Sequence, residues 1–330
     1  MVLSTLSHTC SDSPQRSKKR TRAIRKRSQP GSLSTMTRTR IVLILILGFG
    51  CFAGAPALGT DPSPEAQINS PTASDTDAAR EILRAAFANR YEVNLTTQIE
   101  LTVHSRSGQQ RKRTLQAVTK VIDHRVHSLG RLTSPEHLRG MTVMMMEAED
   151  RSHDAFIYMP SLDKVRRINS SQRGDAFFGS DVTYEDIEHQ TVADYTFLKF
   201  TKETRDGEPV FRIHASPKRR LNYDRVIFTI AQTDGAILGA EYFKRDTDAP
   251  YRVLSAPRNH MIVSGGHVLP TRMKVENRIK GSHTEVTLYN LRTDEKIDDR
   301  IFSVRTLESR RDLPGKEKYP EDEPFEHTYP

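Results

Sequence analysis

From about residue 95 onward the chain repeats one pattern: short runs of alternating apolar and polar residues, separated by turn-forming dipeptides. Ile99, Leu101 and Val103 alternate with polar neighbours, as do Leu115, Ala117 and, past Thr119, Val121. Similar runs lie at Met141–Ala148, Ala155–Met159, Tyr195–Phe200, Val210–Ala215, Arg225–Ala231 and Ala236–Phe243, and then at Met261–Val263, Thr271–Val275 and Glu285–Leu291. The separators include Ser107-Gly108, Asp206-Gly207, Asp234-Gly235, Gly265-Gly266 and Lys280-Gly281. A period of two sends successive side chains to opposite faces of a strand. Many short strands with turn chemistry between them predict an antiparallel sandwich or barrel.

One stretch has the helical period instead. Ala78, Ile82, Leu83, Ala86 and Phe87 follow a Ser74-x-x-Asp77 capping-box pattern and predict an amphipathic helix over about 76–91. A curved sheet with a helix laid across its concave side encloses an apolar cavity, which suits a lipid-like ligand.

The first 59 residues differ in kind. Met36 is followed by the basic stretch Thr37-Arg38-Thr39-Arg40, an apolar run from Ile41 to Leu47, and small residues through Ala57. That order reads as a secretory signal peptide over 36–59, cut before Thr60. The apolar run breaks into Gly, Ala and Pro well short of the ~20 residues a spanning helix needs. Cys51 after Gly48-Phe49-Gly50 leaves a lipid anchor as the alternative. Residues 1–35 are rich in Ser, Lys and Arg without apolar periodicity; they read as a disordered basic extension, with translation expected to start at Met36.

The leader also dominates the charge. Ten of the 50 basic residues but one of the 42 acidic ones lie in residues 1–59, so the rest carries 40 and 41, a net of about −1. The chain's overall +8 is therefore no argument for nucleic-acid binding by the exported part. Both cysteines, Cys10 and Cys51, go with the leader, which removes disulfides, thiolate nucleophiles and cysteine metal sites from the remainder. Residues 60–75, rich in Pro, Ser, Thr and Asp, read as a linker; 76–311 form the folded domain; the charged, Pro-rich 312–330 reads as a disordered tail.

No His-Glu-x-x-His, Gly-x-Ser-x-Gly, phosphate-loop or dinucleotide fingerprint is present, so no enzyme chemistry, cofactor or metal is expected. His104, His124, His127, His137, His153 and His189 scatter without ligand spacing, and Asp150, His153 and Asp154 read as a solvated turn. The candidates are ligand contacts. Met144 and Met146 would share one strand face, with Met141, Val143 and Met145 on the other, and polarizable Met suits an adaptable apolar lining as well as an ordinary core. Arg166 and Arg167 adjoin on a strand, so at most one faces a cavity, where it reads either as a grip on an anionic headgroup or as a solvated or ion-paired side chain. Asp181, Glu185 and Asp186 read either as structural groups or as ligand or partner contacts. In the structural reading Asp181 caps a turn over Val182–Ile187 and the acids pair with Arg166 or Arg167.

The segment 138–187 carries a resemblance. Leu138-Arg139-Gly140, Phe156-Ile157-Tyr158-Met159-Pro160, Val165-Arg166-Arg167-Ile168 and Phe177-Phe178-Gly179-Ser180-Asp181-Val182-Thr183-Tyr184-Glu185-Asp186 resemble the outer-membrane lipoprotein-sorting family, relatives of the LolA-like and LolB-like periplasmic lipoprotein carriers. Pro270-Thr271-Arg272-Met273, Asn277, Thr284 and Phe302-Ser303 match later landmarks, so the likeness spans about 80–310. It implies a mainly β fold: an unclosed antiparallel β-barrel with an N-terminal helix and short helices capping the concave face. It also implies a periplasmic carrier that takes lipid or lipoprotein acyl chains towards the outer membrane, with an inner-membrane exporter and an outer-membrane acceptor as partners. The alternative is an accessory or sensor subunit, binding an RND/MMPL-type exporter or a regulatory protein, that carries no cargo. The ligand contacts expected on this basis are Met144, Met146, Phe156, Tyr158, Arg166, Arg167, Phe178, Asp181, Tyr184 and Asp186. The family usually has Trp near the Tyr-x-Pro strand; this chain has no Trp, and Phe156 and Ile157 stand there.

Overall fold

The computed structural model describes residues 72–309 except 151 and 294, together with 313 and 314. The expected basic extension, signal peptide and cleavage site, Cys51 and nearly all of the tail lie outside the described residues. Among those described, no helix is long and apolar enough to cross a membrane.

Helix α1 (Ala73–Tyr91) begins three residues before the expected start at about 76. Thr72 is its N-cap. The Thr72 hydroxyl accepts from the Asp75 N–H at 3.1 Å, and the Asp75 carboxylate accepts from the Thr72 N–H at 3.3 Å. The chain holds two overlapping cap patterns, Thr72-x-x-Asp75 and Ser74-x-x-Asp77. The earlier one prevails because each residue added to a nucleated helix gains a hydrogen bond.

The strands are β1 (Leu95–His104), β2 (Gln110–Ile122), β3 (Arg125–Ser134), β4 (Thr142–Glu147), β5 (His153–Met159) and β6 (Lys164–Arg167). After a long connection come β7 (Tyr195–Arg205), β8 (Glu208–Pro217), β9 (Arg225–Ala231), β10 (Ile237–Phe243) and β11 (Arg252–Ser255). Last are β12 (Met261–Ser264), β13 (His267–Pro270), β14 (Arg272–Asn277) and β15 (Ser282–Arg292). Thirteen of them form one antiparallel sheet in the order β6-β5-β4-β3-β2-β1-β15-β14-β11-β10-β9-β8-β7, while β12 and β13 pair as a separate hairpin. Two meanders are thus joined where β15 returns beside β1, and the edges β6 and β7 do not meet. The fold is an unclosed antiparallel barrel.

The turns follow from their residues. Between Arg205 and Glu208 the two-residue loop Asp206-Gly207 takes φ of 51° and 81°, the left-handed geometry that matches the twist of a tight hairpin. Strand alternation then sorts the core. Leu101, Leu115, Val143, Met145, Ile213, Phe228, Leu254 and Val286 face the concave side, where Leu83 and Phe87 of α1 join their cluster. On the convex side Val118, Leu129 and Met144 are covered by Phe302, Leu307 and Leu313. The connection between β6 and β7 forms a strap across the concave face, and the short helix α2 (Tyr184–Ile187) lies within it. Helix α3 (Val304–Glu308) carries Leu307 onto the convex side.

Candidate functional site

A cavity of about 210 Å³ lies between the last turn of α1, the concave faces of β1–β4 and β15, and the strap. Ile99, Leu115, Val143, Met145, Phe177 and Leu288 line it, with Arg90 and Asp186 its charged neighbours. A larger cavity of about 1160 Å³ is bounded by the ends of β8–β11 and the β12–β13 hairpin. Val268 lines the larger cavity and Leu269 the smaller. Adjacent residues on a strand face opposite ways, so β13 stands between the two spaces. Asn89 of α1 tethers the hairpin: its amide donates to the Val268 carbonyl at 3.0 Å and accepts from the Val268 N–H at 2.8 Å.

The strap's acids are engaged. Asp186 receives both terminal nitrogens of Arg252, at 2.6 and 2.8 Å, and the Thr183 N–H at 2.8 Å. Arg252 is 2% exposed and stacks over Tyr242 with its guanidinium 4.2 Å from the ring centre. Asp181 accepts from Ser282 at 2.7 Å and Thr284 at 3.0 Å. Glu185 accepts from the Asn222 N–H at 3.2 Å, and burial pushes its carboxyl up. Glu188 is held by Arg173 and Arg219. Beneath the strap, Glu147 of β4 accepts from the Val126 N–H at 3.0 Å and bonds His189 at 2.8 Å.

Arg113 is the contrast. It lies on the concave side of β2, two residues before Leu115, beside the backbone at Gly179. Its Nε and Nη1 are shielded from solvent and have no hydrogen-bond partner among the described residues. Burial, reinforced by Arg111, lowers its pKa. A partly buried cation with two shielded nitrogens lacking partners is costly, so the place favours an anion.

The residues singled out by sequence divide between two faces. Met144, Met146, Phe156 and Tyr158 lie in the convex cluster against the C-terminal segment, and the cavity takes Val143 and Met145 instead. Arg166 and Arg167 are exposed on the edge strand β6, with Arg167 paired to Asp154. Phe178, Asp181, Tyr184 and Asp186 are brought together in the buried strap, and Asp186 also touches the cavity. The cap expected of Asp181 is supplied by Thr183, and the partner expected in Arg166 or Arg167 is Arg252. Sequence reasoning misses Arg113 and Asn89, since one Arg in a basic run and an isolated Asn carry no spacing signal.

Comparison with known proteins places the fold. A family model described as "-like: Uncharacterized protein" matches residues 124–309. The chain belongs to that family, and its fold is LolA-like. A DUF1329 family protein from Desulfovibrio piger superposes with a TM-score of 0.65 at 22% identity, covering 72% of this chain and 100% of its own. A putative outer membrane lipoprotein-sorting protein domain from Vibrio parahaemolyticus gives 0.65 at 18%, covering 71% and 100%. A LolA superfamily protein from Nitrosomonas europaea gives 0.56 at 18%, covering 69% and 98%. No curated protein matches the sequence.

Proposed function

We propose that the chain is a periplasmic carrier that holds a lipid or a lipoprotein's acyl chain on the concave face and delivers it towards the outer membrane. The observation that carries this reading is the apolar cavity behind the tethered hairpin. Each buried methylene contributes about 0.8 kcal/mol, so about eight of them supply roughly 6 kcal/mol. At about 210 Å³ the smaller cavity is below the ~300–1,000 Å³ of most ligand sites. A long chain would therefore extend past β13 into the larger space, and loading would require the hairpin to move. Arg113, outside the cavity's lining and beside Gly179 of the strap, would hold an acidic headgroup beyond the tail. An inner-membrane donor and an outer-membrane acceptor are the partners this role needs.

The test is binding of a fluorescent fatty acid by delipidated protein, with displacement by lipid extracted from native preparations. Micromolar affinity, reduced by Val143→Phe, is expected. Absence of both probe binding and co-purifying lipid would overturn the reading.

A further inference from the structure

On the convex face, away from the cavity, His104 at the end of β1 stands opposite His283 near the start of β15. Their rings stack 4.4 Å apart at 7°. Glu285, two residues along the same face, brings a carboxylate oxygen to 3.9 Å from His104 Nε2. One ligand atom from each of the three residues lies within 4.8 Å of the others. His104 Nε2 is shielded from solvent and has no hydrogen-bond partner among the described residues. Glu276 of β14 stands opposite His283 in the strand register, and its carboxylate is already paired with Lys274 at 2.6 Å. No sequence spacing announces this cluster; the register of β1 on β15 creates it.

We propose that His104, His283 and Glu285 form a site for a borderline divalent cation of the zinc class. Two imidazoles and one carboxylate are a donor set that zinc accepts, with water completing the tetrahedron. Ligand atoms about 2.0–2.1 Å from a tetrahedral zinc lie roughly 3.3 Å apart, so binding requires the parallel rings to rotate out of their stack until both nitrogen lone pairs converge on the ion. Both histidines sit on directly paired strands, so little ordering is needed. The ion would staple β1 to β15, the seam that joins the two meanders. On the opposite face of β15, Ser282 and Thr284 bond Asp181 of the strap.

Zinc titrated into chelator-treated full-length protein should reveal a site whose affinity falls at least tenfold in both His104→Ala and His283→Ala. Glu285→Gln should give a smaller loss. Other histidines and both cysteines remain in every variant, so the difference isolates this site. Cobalt provides a second readout on the unaltered chain, a visible absorption band that zinc displaces. Equal zinc affinity in the parent and both histidine variants would overturn the proposal, as would a parent protein that binds neither metal.

Discussion

Two regions of the concave face treat buried charge in opposite ways. In the strap, Asp181, Glu185, Asp186 and Glu188 each have partners, and Arg252 closes a two-pronged bond on Asp186. On β2, Arg113 has two shielded nitrogens without a partner among the described residues. A satisfied buried pair fixes a conformation, whereas an unsatisfied cation marks where an anion is favoured. The motif richest in charge is therefore built into the architecture, and the less conspicuous arginine is the better candidate for a ligand contact.

The comparison breaks most directly at Arg252. Arg252→Met should cost about 3–5 kcal/mol, because Asp186 is left buried and unpaired. Urea unfolding measures this, and a double change with Asp186→Leu should recover much of the loss. If the single change costs under about 1 kcal/mol, the strap is not held by this pair.

Beneath the strap, His153 of β5 adds a pH dependence; its carbonyl accepts from Arg173 at 2.6 Å. Burial pushes its imidazole down to about 4, against the pull of Glu147 and with Arg219 and Arg173 nearby. A histidine lowered from about 6.5 favours the folded state while neutral, so its contribution is complete above pH 6.5 and is lost as pH falls towards 4. After discounting for partial exposure the loss is about 2 kcal/mol. His214 of β8 is also pushed down to about 4 by burial, so acid sensitivity from that side should persist. His153→Gln should flatten part of the stability profile below pH 6.5, and an unchanged profile would show that His153 does not drive it.

Alternation and turn residues make the antiparallel sheet legible, because each depends on local chemistry. Strand β3 is harder to see: its register shifts opposite Thr114 and Leu115, which breaks the period of two. The parity of Met144 against Met145 is legible too, but which parity faces inward is not. That depends on the C-terminal segment covering the convex side with Phe302 and Leu307, a contact between residues far apart in sequence. The pairing of Asp186 with Arg252 leaves no local mark for the same reason.

Arg113 sharpens the comparison from the other side. Arg113→Met should leave stability unchanged or raise it slightly, since it removes a charge with unpaired nitrogens. It should weaken a fatty-acid probe about tenfold, or ~1.4 kcal/mol, while a neutral alcohol of the same length binds as before. Equal weakening of both probes would mean that Arg113 acts through the packing of the strap without reading charge.

The smallest effect is expected at Asn89, which bonds neither charged region. Asn89→Ala removes two hydrogen bonds to Val268. The loss is about 1 kcal/mol, and it should fall on the hairpin alone. Hydrogen exchange should quicken at β12 and β13 while β1–β4 keep their protection, and a fatty-acid probe should associate faster. Faster exchange without faster association would separate hairpin opening from loading, and the route into the cavity would then lie past the strap.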